Sequence, residues 1–273
     1  MLDMAKPLID LNFGRQAFGL DPLNYHTARP AYPYWVFKLL QERCALKKDT
    51  AVFEIGAGTG LATEHLLQLG ANPLVGIEPD DRLAGFLRNN LPDKALTVVH
   101  STFEDVVLKD NSFDLGFCAT AFHWLNEDTA LKKIAGLLRP GGWWAMVWNV
   151  FGDSHRPDPF HEATRLLLDG PSSPSEGSGN LPFALDVESR LAAMERTQYF
   201  DAIEHKTSQW SLILNPDQTV ALYSTYSNIN IRKDREEVLA ELGRIARDQF
   251  GGRVTRNMST SLYIARRKAD LTV

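Results

Sequence analysis

The chain has 273 residues, 44% hydrophobic and 23% charged, with a formal net charge of -5. That is enough apolar material for one large core with a substantial insertion, and the acidic balance lacks the clustered lysine and arginine that nucleic-acid binding requires. Two cysteines, Cys44 and Cys118, have neither zinc nor disulfide spacing. No apolar stretch approaches the roughly 20 residues of a membrane span, and Met1 to Lys6 has no signal-peptide core, so a cytoplasmic protein without membrane or nucleic-acid partners is expected. Oligomeric state is unreadable.

From Asp49 to Val150, short apolar runs alternate with helical periodicity, the pattern of βαβ units and a parallel sheet. Strands are predicted over 51–55, 74–78, 96–99, 113–118 and 142–149. Between them a helix from Thr59 stops at Gly70, one capped by Asp80 or Asp81 runs to Asn89, and one capped by Asn126 carries the stripe Leu131, Ile134, Leu137 and Leu138.

Beyond Val150 the alternation fails. Gly170 to Asn180 is rich in Gly, Pro and Ser and reads as a mobile piece. A strand is predicted over 209–214, helices over 217–227 and 234–249, and a closing strand over 261–266. The layout predicts one domain over 1–273, with its core at 49–150 and 208–267. Segments 1–35 and 151–207 are expected as a lid over the carboxyl ends of the strands, where open α/β sheets bind ligands.

The first strand runs into Gly56-Ala57-Gly58-Thr59-Gly60, a turn in which glycines let backbone approach a ligand and the following helix offers N–H groups to an anion. In a dinucleotide loop of the form G-x-G-x-x-G the last glycine would fall at Leu61. Glu54 precedes the turn and places a negative charge where a pyrophosphate would be repelled and a sulfonium amino acid would not. About 20 residues on, Glu78 ends the second strand at the position that binds ribose hydroxyls in Rossmann-like folds, with Pro79 next.

These two segments resemble the class I S-adenosylmethionine-dependent methyltransferases. The Ala121-Phe122-His123-Trp124 block, the stretch Tyr25 to Pro33 after Phe18, and the Leu138-Arg139-Pro140-Gly141-Gly142 turn resemble the branch that contains trans-aconitate methyltransferase. The resemblance implies a Rossmann-like, mostly parallel seven-stranded sheet flanked by helices, S-adenosylmethionine as cofactor, and methyl transfer to a small-molecule acceptor. It implies a cofactor site made of Tyr25, Arg29, Glu54, Gly56, Ala57, Gly58, Gly60, Glu78, Pro79, Thr102, Phe103, Ala119 and Phe122. Arg29 would pair with the cofactor carboxylate, Tyr25 would close over its methionine part, and Thr102 with the Phe103 N–H would meet the adenine. Thr102 stands where the family often has Asp.

His123 has two readings: a base that takes a proton from a hydroxyl or amine, or an anchor for its loop. A carboxylate acceptor would need no base, and catalysis would rest on positioning and exclusion of water. Trp124, Trp148, Asn149, Tyr223 and Tyr226 are candidate substrate contacts, while core packing is the reading for Trp143 and Trp144 together. No metal site is predicted. A protein acceptor, or a non-catalytic S-adenosylmethionine-binding protein, is the alternative; the acceptor itself has no sequence motif.

Overall fold

The computed structural model describes residues 8–151, 156–177 and 181–269. Contacts divide it into two compact units. One holds Ala31–Asn149, Asp186–Ser208 and the C-terminal stretch from Thr260; the other holds the chain up to Pro30, Val150–Leu185 and Gln209–Ser259. The boundary is drawn differently from the core and lid expected above: residues 186–208 group with the central sheet, and 209–259 group with the N-terminal segment.

Among the described residues the strands are β1 (Thr50–Ile55), β2 (Ala71–Glu78), β3 (Leu96–His100), β4 (Phe113–Ala119), β5 (Leu138–Phe151), β6 (Phe200–Leu214) and β7 (Val254–Arg267). They form one sheet in the order β3-β2-β1-β4-β5-β7-β6. The pairings β1 with β2, β1 with β4, β2 with β3 and β4 with β5 are parallel. At the other end, hydrogen bonds join Tyr199 to Lys268, His205 to Ser261 and Thr207 to Thr260. Ascending numbers there meet descending ones, which is antiparallel pairing.

The helices are α1 (Leu11–Gln16), α2 (Pro22–Ala28), α3 (Tyr34–Arg43), α4 (Thr63–Gln68), α5 (Asp81–Asn90), α6 (Glu127–Leu137), α7 (Pro159–Thr164), α8 (Val187–Arg196), α9 (Pro216–Tyr223), α10 (Ser227–Asn230) and α11 (Arg235–Asp248). Their starts follow local chemistry. Asp80 accepts the Arg82 N–H, Asn126 accepts the Thr129 N–H, and Asn215 with Gln218 makes a capping box before Pro216. α4 begins at Thr63 and not at Thr59, because Gly58 and Gly60 have φ of +58° and +94° and hold the preceding turn outside the helical region.

The unit with the parallel strands buries Val52, Phe117, Leu115, Ala145 and Val147 against Val36, Phe37 and Leu40 of α3. β4 and β1 approach closely enough that a Cβ on Gly116 would lie 2.4 Å from the Phe53 ring. β5 starts earlier than 142: Phe113 pairs with Leu138 and Leu115 with Trp143, so the Arg139 to Gly142 turn is a bulge inside the strand. Trp144 is fully buried and Trp143 partly so. β6 is longer than expected because it is a terminal strand of the sheet, and its half-exposed, charged sequence from Asp201 to Lys206 hides the alternation of a strand.

The second unit has its own core, in which Leu239, Leu242 and Ala246 of α11 pack with Leu222 and Tyr223 of α9 and with Phe160 of α7. Arg256 of β7 is 1% exposed in this unit. Its Nε donates to Asp158 Oδ2 at 2.9 Å and its Nη1 to the Tyr223 hydroxyl. Asp158 also accepts the N–H groups of Asn257 and His161, so a buried cation meets a fully used carboxylate.

Candidate active site

Three chain turns of the parallel-sheet unit converge. The first is the glycine turn after β1. Gly56 and Ala57 both donate N–H to the Ile77 carbonyl, which ties the turn to β2. Gly56 has φ +67°, and a Cβ on it would lie 2.5 Å from the Ala121 Cβ, so the glycine turn is seated directly on the turn that follows β4. Gly60 faces Leu87 and Leu91, 2.6 and 2.8 Å from where its Cβ would be. Gly58 differs: at φ +58° its Cβ direction is open, with only the Gly56 carbonyl oxygen at 4.0 Å.

The second is the end of β2. Glu78 is 4% exposed; its Oε2 accepts the Gly58 N–H at 2.8 Å and its Oε1 the Asp80 N–H at 2.9 Å. Burial pushes its carboxyl up to about 7, aided by the nearby Asp80 charge and opposed by those two N–H groups. Pro79 is half-buried, and Asp80 is itself paired with Arg82 at 2.6 Å.

Glu54 departs from the expectation of a negative charge at the place a pyrophosphate would occupy. It is 1% exposed, and its Oε2 accepts the Thr63 hydroxyl at 2.6 Å. Burial drives its pKa up to about 8, with the neighbouring Glu78 raising it and Thr63 lowering it. At neutral pH it is mostly an uncharged acid bonded to the first residue of α4, so electrostatic repulsion of a pyrophosphate does not rest on it.

The third is the turn after β4, at Thr120 to Trp124. Ala119 is half-buried, and Phe122 is fully buried with its ring 5.5 Å from Trp144. His123 and Trp124 are 8% and 5% exposed, on a single turn of 3-10 helix. Trp148 of β5 donates its indole N–H to His123 Nδ1 at 3.1 Å. Asn149, the next residue, uses both ends of its amide: Nδ2 donates to the Ala31 carbonyl at 3.2 Å and Oδ1 accepts the Thr260 hydroxyl at 2.7 Å.

Thr102 and Phe103 follow β3 in the same unit. The Thr102 hydroxyl donates to Asp105 Oδ2 at 2.7 Å, and Phe103 is buried, stacked 6.3 Å from Phe53, with Lys133 bonded to its carbonyl.

Two residues at this site escaped the sequence reading. Thr120 has φ +54°, a conformation rare for a β-branched residue, and its hydroxyl shares a 2.7 Å hydrogen bond with the Tyr32 hydroxyl. Thr59, in the glycine turn, is 1% exposed and its hydroxyl oxygen has no hydrogen-bond partner. Neither signal is local: each depends on what the fold brings against the residue.

The remaining candidates lie in the second unit. Arg29 Nη2 donates to the Thr225 carbonyl at 2.9 Å, and its guanidinium lies over the Tyr226 ring at 4.8 Å and the Tyr25 ring at 5.2 Å. Tyr223 and Tyr226 stack with centroids 5.0 Å apart. Burial raises both phenols, and the Tyr226 hydroxyl has no hydrogen-bond partner. His155, a residue of the expected lid, lies outside the described residues. Among the described residues no group of His, Cys, Asp and Glu could hold a metal ion, and no helix is long and apolar enough to cross a membrane.

Residues 53–146 match the model of a family described as a methyltransferase domain. Among curated proteins the chain is similar to an uncharacterized methyltransferase of Schizosaccharomyces pombe, 28% identical over 51% of this chain and 55% of that protein. A methyltransferase-like protein of the same yeast is 25% identical over 85% and 86%. An uncharacterized methyltransferase of Mycobacterium tuberculosis is 34% identical over 49% and 52%. The chain thus spans about half the length of the first and third of these relatives and most of the second.

Among solved structures, a putative type II methyltransferase from Anaeromyxobacter dehalogenans superposes with TM-score 0.60 at 21% identity, over 88% of this chain and 98% of that one. Haemonchus contortus phosphoethanolamine N-methyltransferase 2, in complex with phosphomonomethylethanolamine and S-adenosylhomocysteine, gives 0.59 at 13% identity, over 96% and 61%. With a seven-stranded, mostly parallel sheet, a glycine turn on β1 and an acid ending β2, the chain has the Rossmann-like fold of its methyltransferase neighbours, and its residues 53–146 match a methyltransferase domain.

Proposed function

We propose that this protein transfers a methyl group from S-adenosylmethionine to a small-molecule acceptor. The observation that carries the reading is the pairing of Glu78 with the open Gly58 turn in one buried arrangement. The residues present suit the cofactor. Glu78 offers carboxylate oxygens to a ribose diol, the Gly58 turn leaves space where a side chain would otherwise stand, and the unpartnered Thr59 hydroxyl is available for a polar atom of the ligand. Bound there, the cofactor supplies an electrophilic methyl on sulfonium.

The protein's own part is to hold both reactants in line and keep water out, which accounts for large rate effects without covalent participation. In this reading Gly56, Ala57, Gly58 and Gly60 form the backbone cradle. Thr102, Phe103, Ala119 and Phe122 wall the adenine side, and Pro79 shapes the exit of β2. His123, Trp124 and Asn149 are assigned to the acceptor, and Trp148 supports His123. The small phosphate-bearing acceptor of the nematode neighbour supports a metabolite over a macromolecule.

The test is titration calorimetry with S-adenosylmethionine and S-adenosylhomocysteine, followed by a methyl-release screen over small carboxylic acids, phenols and amines. Gly58→Asn is the matched control: Asn tolerates the left-handed backbone and the fold has room for its side chain, so the variant folds and loses cofactor binding. Unchanged affinity in that variant sinks the reading. Turnover only with a peptide fraction would move the acceptor from metabolite to protein.

A further inference from the structure

We infer that Trp148 locks His123 as the Nε2-protonated tautomer, so that His123 enters the proposed transfer as a hydrogen-bond donor and is not the base that deprotonates the acceptor. The inference rests on the methyl-transfer reading for its chemistry, but its structural half stands alone.

An indole nitrogen donates and never accepts. With Trp148 Nε1 3.1 Å from His123 Nδ1, the Nδ1 lone pair is the acceptor of that bond, and the single proton of a neutral imidazole then resides on Nε2. A base acting through Nε2 needs the opposite tautomer, which would set two N–H groups against each other at that same separation. Taking a second proton on Nδ1 has the same effect, and it would break the bond from the buried Trp148 indole.

Neither ring is free to turn away. His123 rides on the turn closed by Trp124 N–H to the Ala121 carbonyl and Leu125 N–H to the Phe122 carbonyl, both at 3.0 Å, with the Trp124 ring 5.5 Å away. Trp148 lies within β5 with its ring edge-on to Tyr263 at 6.1 Å. Trp148 is therefore a positioning residue, acting through His123.

The chemical consequence concerns the acceptor. Its lone pair forms the bond to the methyl carbon, the carbon–sulfur pair remains on sulfur, and no proton passes to His123. The acceptor atom must already carry that lone pair at neutral pH, and His123 holds the acceptor molecule by donating from Nε2.

The experiment is long-range proton–nitrogen NMR on the full chain labelled with 15N-histidine, with the His123 signals assigned by their loss in His123→Asn. In the wild type, Nδ1 reads unprotonated and Nε2 protonated; a protonated Nδ1, or an even mixture, overturns the lock. Trp148→Phe keeps an aromatic ring but removes the donor, and the His123 nitrogens move toward a tautomer mixture; an unmoved spectrum overturns the role of Trp148. In transfer assays with the acceptor class that turns over, His123→Asn retains a donor without a base and stays within about tenfold of wild type, while His123→Ala falls about 10- to 100-fold. Equal losses in the two overturn the donor role. The NMR arm needs neither cofactor nor turnover, so failure of the methyl-transfer reading, seen as no binding in calorimetry, is separable from failure of the lock.

Discussion

Replacing Glu54 with Gln should stabilise the protein, and more so as the pH rises. The Glu54 carboxyl is 1% exposed and its pKa stands at about 8, against an ordinary value of 4.5. Between those limits the native state binds a proton that the unfolded chain has released. A group of this kind contributes most below pH 4.5, and the contribution is lost as the pH climbs toward 8. Each unit is worth about 1.4 kcal/mol. At pH 7, about 2.5 units above the unfolded value, on the order of 3 kcal/mol has gone, whereas at pH 5 less than about 1 has. Gln keeps the acceptor for the Thr63 hydroxyl and never ionises. The E54Q advantage over wild type should therefore grow by on the order of 2 kcal/mol from pH 5 to pH 7, or roughly 4–8 °C in Tm. Scanning calorimetry of both proteins at the two pH values reads this directly. Any pH-independent effect of the swap cancels in the comparison. A Tm difference identical at pH 5 and pH 7 would refute a buried, neutral Glu54.

Cofactor affinity should rise with pH through about 7, where Glu78 ionises, because ribose hydroxyls donate better to a carboxylate than to an acid; E78Q should flatten that profile in calorimetry and weaken binding roughly 10- to 100-fold. Gly56→Ala forces a methyl to within 2.5 Å of the Ala121 Cβ at φ +67° and should cost about 1–3 kcal/mol in denaturant unfolding. Adding Ala121→Gly should return part of that loss, and no recovery would show that the contact is not the cause. Arg256→Met leaves the Asp158 carboxylate buried without its cation and should cost about 3–5 kcal/mol, with a smaller loss in the R256M/D158N double variant.

How legible the chain was depended on where each residue's reason lies. The parallel strands β1 to β4 and the caps at Asp80 and Asn126 are written locally, as apolar runs and as side chains that bond the next backbone N–H. β6 is not, because a terminal strand with charged, half-exposed residues does not alternate cleanly, and its first half falls within the expected lid segment. The start of α4 was misplaced because two left-handed glycines extend the turn through residues that a helical pattern would claim. At the site, the sequence placed the acid at Glu78 and the aromatic block at Phe122 to Trp124, but not their states. The neutral character of Glu54 comes from burial, and the indole bonded to His123 comes from β5, 25 residues away.

The left-handed backbone at Thr120 also bears on how the histidine turn came to hold its shape. A β-branched residue at φ +54° carries a penalty of about 1–3 kcal/mol, and here two partners offset it: the Val147 carbonyl, which accepts the Thr120 N–H at 2.7 Å, and the hydroxyl of Tyr32. β4 alone does not specify that bend. It is a bent spring under a catch, and half of the catch belongs to a short stretch almost 90 residues earlier in the chain. Grafting the Ala121 to Trp124 block onto another sheet without that tyrosine would transplant the letters and leave the curvature behind.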